Sequence, residues 1–226
     1  MGSRSRKLAL TLDTLSAVPI WAASPIVRHW HMRWGATEAE VAGAMPGDDV
    51  VPRAQFKATR SISIDAAPKD VWPWIVQLGY RRAGFYTYDQ VDNAGEPSAD
   101  RIIEEYQDLN IGDEIPMWHE SHGLSIAYVV DSFEAPNWML WVHRPHEGER
   151  PDSTWSWRLD TLPNEGTRLV TRMKQDYRWE TPRLALFNLF LMEFGDFAME
   201  RRMLKGIKVR AERPGPDRSI GDSRPI

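Results

Sequence analysis

Residues 182–210 read PRLALFNLFLMEFGDFAMERRMLKGIKVR, and the whole chain is interpretable from this stretch outward. Pro182 suits a first helical turn, where its missing N–H costs nothing, and no further proline follows before Pro214. Phe187, Phe190, Phe194, Phe197 and Leu204 recur at three- and four-residue spacing, while Met192, Met199, Met203 and Ile207 do so on roughly the opposite side. The spacing predicts one helix with two apolar faces. At about 1.5 Å per residue it would be roughly 40 Å long, too long for one partner helix to bury, so a curved sheet is expected to grip it. Large aromatics in such a grip leave a cleft.

Upstream, short alternating runs separated by turn chemistry predict that sheet. Ala58 to Asp65 alternates Ile62 and Ile64 with polar residues and opens it; Pro68 starts a helix through Val71, Trp72, Ile75 and Leu78 to Gly79. Arg81 to Asn93 is expected to turn into a second short helix, and the loop with Gly95, Pro97, Ser98 and Asp100 to form a lid. An antiparallel meander then takes Asp113 to Trp118, Leu124 to Phe133, Trp138 to His143, Ser153 to Leu159 and Thr167 to Lys174, with turns at Ala135–Asn137 and Pro163–Gly166. By period two, Trp155, Trp157 and Leu159 share the face toward the long helix, and Thr154, Ser156 and Arg158 the other.

The chain has 226 residues, 42% hydrophobic and 27% charged, enough for one sizeable core with appendages. A net charge of -4 argues against nucleic-acid partners, which require a basic footprint. With no cysteine there is no thiol nucleophile, iron–sulfur cluster or thiolate zinc site. The histidine pairs His29/His31, His119/His122 and His143/His146 lack a third spaced ligand, so no metal is expected. Nucleophile elbows, phosphate loops and dinucleotide fingerprints are absent, and no cofactor is expected.

Residues 1–50 read as a helical arm and linker. Leu8, Leu12 and Leu15 form an amphipathic stripe, while Asp13, Pro19 and Pro25 oppose a membrane span within residues 8–27. The arm is therefore expected to pack on the main domain in a cytoplasmic protein, with membrane association through residues 8–27 as the alternative. Trp21, Trp30 and Trp34 would then cover the long helix, and Thr37 with Glu40 has the reciprocal capping pattern. The main domain is assigned to residues 51–212 and a tail to 213–226.

The order strand, two short helices, meander and long terminal helix resembles the START-like helix-grip superfamily, also called SRPBCC, which includes polyketide cyclases and dehydratases and lipid-transfer domains. The resemblance is carried by Ser61 to Ile75, Gly84 to Asp89, Ile111 to Asp113 and Gly166 to Leu169. It implies an α+β fold in which about six or seven antiparallel strands curve around the C-terminal helix, and a deep cleft that takes a hydrophobic small molecule. Bacterial members similar to this chain carry an N-terminal extension. The superfamily has no shared catalytic motif, so none is transferred.

Candidate ligand contacts come from every element expected at the cleft: Trp74, Tyr86, Tyr88, Trp118, Trp141, Trp155, Trp157, Phe194 and Phe197. At least four are expected to border a ligand-sized cavity, because Tyr and Trp bring a donor to an apolar wall. Arg172 and Arg201 are candidate anchors for an anionic ligand group, although Arg168 and Lys174 share the parity of Arg172 and favour an outward position. Arg201 has Glu193, Asp196 and Glu200 as possible partners. Should the chain be an enzyme, His143, Tyr86 and Tyr88 are the candidates for proton transfer. Two functions follow: binding of a hydrophobic, ring-containing molecule, or cyclase- or dehydratase-type acid–base chemistry in the same cleft. Oligomeric state is not readable from these patterns.

Overall fold

The computed structural model describes residues 28–118, 127–145, 148–177 and 193–213. Their elements in chain order are α1 (Glu38–Ala42), β1 (Phe56–Ile64), α2 (Pro68–Val76), α3 (Asp89–Asp92), a 3-10 turn (Glu104–Tyr106), β2 (Glu114–Pro116), β3 (Ala127–Glu134), β4 (Trp138–His143), β5 (Ser153–Thr161), β6 (Thr167–Gln175) and α4 (Glu193–Ala211). The six strands form one curved antiparallel sheet in the order β1-β6-β5-β4-β3-β2. This is the α+β helix grip that the resemblance implied.

Alternation places the strands closely. β4 has the expected bounds, and β5 and β6 each extend one or two residues beyond theirs. β2 is shorter than expected because Trp118 has already left the ladder. Of the run from Leu124, residues 124–126 lie outside the described residues, as do residues 182–192 of the predicted terminal helix and the stretch from Leu8 to Val27. Among the described residues no helix is long and apolar enough to cross a membrane.

Register fixes the two faces. Arg60 pairs across the ladder with Thr171, Trp157 with Thr171, and Met139 with Trp157, so these side chains share the inner face toward α4. Thr59 pairs with Arg172, and Arg172 with Ser156, on the outer face. A register shift between Val130 and Ser132 bends β3 and returns Phe133 to the inner face opposite Met139. Met203, Leu204 and Ile207 of α4 are buried in the core with Trp141, Trp157, Leu169, Val71 and Ile75. Each such side chain contributes about 1.5–3 kcal/mol through burial.

The outer face is covered by residues 28–50. Thr59 and Ser61 donate their N–H groups to the carbonyls of Met32 and Trp34, which occupies the free edge of β1. Gly35 follows at φ +75°, where an added Cβ would lie 2.1 Å from the Ser61 carbonyl oxygen, so only glycine fits this approach. Thr37 and Glu40 form both bonds of the capping box at α1. Beyond α1 the chain crosses β6 and β5: Ser156 donates to the Pro46 carbonyl, Lys174 to that of Asp48, and Arg158 to that of Ala44.

Candidate functional site

A cavity of about 110 Å³ lies between the inner face and α4. Trp155 of β5 and Met173 of β6 form its sheet side, and Asp196, Met199, Glu200 and Met203 line it from α4. Those α4 residues follow three- and four-residue spacing, so one helical face supplies them all. The segment from Phe85 to Asp92 contributes Phe85, Thr87 and Asp92, while Met117 and Trp118 contribute from the end of β2. Gly206 brings α4 onto this segment: a Cβ there would lie 2.7 Å from the Tyr86 carbonyl oxygen. Arg202 then reaches the Thr87 carbonyl with its Nε at 2.6 Å and stands over the Tyr88 ring.

The walls are apolar and partly soft. Four methionines, Met117, Met173, Met199 and Met203, face the cavity, and unbranched thioethers repack around different shapes. The rigid side is the tryptophan cluster, in which Trp155 stacks on Trp157 at 5.0 Å between centroids and meets Trp141 edge-on at 5.6 Å.

Polar chemistry is concentrated at the α4 end. Arg60, with no exposure, donates from Nε to the His31 carbonyl at 3.0 Å and from Nη1 to Asp196 Oδ2 at 2.7 Å and to Glu200. Thr171 donates to the other oxygen of Glu200. Burial raises the Asp196 carboxyl above its ordinary value, Arg60 opposes this, and the charge of Glu200 adds to the rise. Asp92 is 6% exposed and accepts the Thr87 hydroxyl on Oδ2, while Oδ1 is buried with no hydrogen-bond partner among the described residues. Burial, with Asp89 repelling in the same direction, raises its carboxyl to about 6 against the Thr87 bond.

The expected contacts divide sharply. Trp118 and Trp155 border the cavity; Trp74, Tyr86, Tyr88, Trp141, Trp157 and Phe197 are not among its lining, and the side chain of Phe194 lies outside the described residues. Trp141 and Trp157 have no exposure and fill core behind the wall. Phe197 faces the leading segment, edge-on to Trp30 at 5.4 Å. Trp74 packs edge-on to Tyr86, whose hydroxyl is engaged by Gln77 at 2.8 Å and by the Trp74 carbonyl at 3.1 Å; burial raises it well above the usual phenol range.

The two candidate arginines, Arg172 and Arg201, are not among the residues that line the cavity. Arg172 is outward, as parity favoured, yet 1% exposed, because α1 and Asp48 cover it. Arg201 stands over the Trp34 ring, and its proposed acidic partners are held by others, Glu193 by Arg28 and Asp196 with Glu200 by Arg60. His143 is absent from the lining and meets Asp152 through Nδ1 at 2.6 Å. The loop expected to be a lid is pinned: Ser98 bonds Asp89 and the Tyr86 N–H, Ala99 bonds Ala83, and none of residues 93–100 lines the cavity. Met199 and Met203 were visible in the sequence as an apolar stripe. Asp196 and Glu200 entered the sequence reading only as possible partners of Arg201, and Asp92 gave no signal.

No protein family and no curated protein matches the sequence. Solved structures similar to it include Ms6760 from Mycobacterium smegmatis, at 15% identity over 68% of this chain and 88% of that one with a TM-score of 0.41. The Polyketide_cyc-like protein Cgl2372 from Corynebacterium glutamicum is 15% identical over 67% of this chain and 88% of that one, TM-score 0.36. DynU16, a protein of the dynemicin biosynthetic locus, is 14% identical over 66% of this chain and 46% of that one, TM-score 0.38.

Proposed function

We propose that the chain binds a hydrophobic, ring-containing small molecule between the sheet and α4. The observation that supports this is the cavity itself, walled by Phe85, Trp118, Trp155 and four methionines. Its volume of about 110 Å³ is below the roughly 300–1,000 Å³ of drug-sized sites. Methionine rotamers are the means by which it would enlarge around a bigger guest. A naphthalene-class fluorescent probe should bind and quench tryptophan emission, and Met203→Trp, which fills the space, should weaken binding at least about tenfold, or about 1.4 kcal/mol. Equal binding by the filled variant would place the probe elsewhere and remove the reading.

A second reading, cyclase- or dehydratase-type acid–base chemistry, draws on Asp92 and Asp196. Asp92, raised to about 6, can give or take a proton near that pH, and the Asp196 carboxyl is raised in the same direction. His143, Tyr86 and Tyr88 pass from this role to the two aspartates, since none of the three lines the cavity. Incubation with polyketide or terpenoid extracts, followed by mass spectrometry, separates the readings. Turnover lost about a hundredfold to ten-thousandfold in Asp92→Asn supports the enzyme; a guest recovered unchanged supports the binder.

A further inference from the structure

The described lining of the cavity carries three carboxyl groups and no Lys, Arg or His. The arginines around it are engaged outside: Arg60 by Asp196 and Glu200 from beneath, Arg202 by the Thr87 carbonyl and the Tyr88 ring, Arg210 by the Ala99 carbonyl and the Tyr86 ring. One guanidinium therefore faces two carboxyl groups at the α4 end. Asp92 also lines the cavity, and its buried Oδ1 is supplied with a donor by no described residue. An acceptor left in this state costs about 1–3 kcal/mol, more when charged, and a donor on a guest would remove that cost. The Thr87 hydroxyl is already given to Asp92, and the Trp155 indole is a neutral donor against three acids.

We propose that the cavity selects a compact apolar ring carrying a protonated amine, received by Asp92 and by the Asp196–Glu200 end, and that it rejects carboxylates. This rests on the cavity being a ligand site and adds the class of the ligand. An ammonium supplies up to three N–H donors and adds positive charge to that which Arg60 and Arg202 already bring to these acids. A carboxylate brings like charge to groups that already repel each other, which costs several kcal/mol at a desolvated site. A volume of about 110 Å³ is below the roughly 150 Å³ that holds benzene in an engineered apolar cavity, so the methionines must yield even to a single ring, and the guest must be compact.

Four guests of nearly one shape test this: benzylamine, benzyl alcohol, toluene and benzoate, titrated by calorimetry at pH 7 into the full chain. Benzylamine should bind at least about tenfold more tightly than benzyl alcohol, with benzoate weakest. Asp92→Asn should reduce the amine preference over toluene to about threefold or less; Asp196→Asn, which leaves Glu200 to Arg60, should lower it as well and serves if the first variant does not fold. Met203→Trp should weaken all four. If the neutral guests bind and the amine has no advantage, or if its advantage survives both variants, the amine assignment is overturned and the cavity stands as a ligand site. If none of the four binds, or the filled variant binds them equally, both readings fall.

Discussion

Two buried arginines sit on neighbouring strands of one sheet, one on each face, and their surroundings differ completely. Arg172 of β6 points outward and makes five hydrogen bonds, to Thr59 Oγ1, Asp48 Oδ2 and the carbonyls of Glu40, Val41 and Gly43, matching the five N–H donors of a guanidinium. Three of those acceptors are carbonyls at the C-terminal end of α1, which would otherwise lack intrahelical partners. Arg60 of β1 points inward and takes two carboxyl groups of α4 with a single carbonyl. The outer arginine closes a structural seam and leaves nothing for a guest. The inner one gathers acids beside a cavity and leaves negative charge in excess.

Arg60→Leu is the largest perturbation expected. It strands Asp196 and Glu200 beside apolar walls, and breaking a buried pair from one side costs about 3–5 kcal/mol. Urea unfolding should show this loss, and Arg60→Leu combined with Glu200→Leu should recover part of it. A loss below about 1 kcal/mol in the single variant would mean that the acids are better hydrated than their burial indicates.

Arg172→Leu should cost less, about 2–3 kcal/mol, because its partners are mostly neutral carbonyls near a surface segment that water can reach. Its loss should also loosen residues 35–48, measured as faster amide hydrogen exchange there than in β4. Unchanged exchange in that segment would show that its other ties, Arg168 to Glu40 and the Gly35 carbonyl, Ser156 to Pro46 and Lys174 to Asp48, hold it without Arg172.

The comparison also shows what was legible in the sequence. The strands were, because period two is a local property, and so was the outward direction of Arg172. The cover over Arg172 was not, since it depends on a segment about 130 residues earlier. The acids of α4 looked like a solvated face or partners for Arg201, and their true partner Arg60 lies 136 and 140 residues away. The aromatic set was read too generously for a related reason. Inward parity places Trp141, Trp155 and Trp157 on one face, but only stacking in three dimensions decides which is wall and which is filling. Asp92, in a helix of four residues, had no periodic context at all.

The effect expected of Asp92 depends on pH, and its sign separates the inner face from the outer. In the folded chain its carboxyl is raised from the ordinary 3.8 to about 6, so the folded state holds that proton more tightly than the unfolded state does. The linkage relation then makes this group lower stability as pH rises from about 4 to about 6, with the full cost present above that window and none below it. On the outer face Glu40 behaves oppositely: Arg168 and Thr37 outweigh its burial and hold its carboxyl down at about 2, so its contribution is present above its ordinary 4.5 and is lost as pH falls toward 2. Asp92→Asn removes only the first of these. The variant should match wild type near pH 4 and gain on it toward pH 7, by up to about 3 kcal/mol, or about 6–12 °C in Tm for a chain of this size. Glu40 and Asp196 remain in both proteins and cancel in the difference. A Tm difference that stays flat from pH 4 to 7 would show that Asp92 keeps an ordinary carboxyl, and would take from the cavity its titrating acid while leaving Arg60 and its two partners where they are.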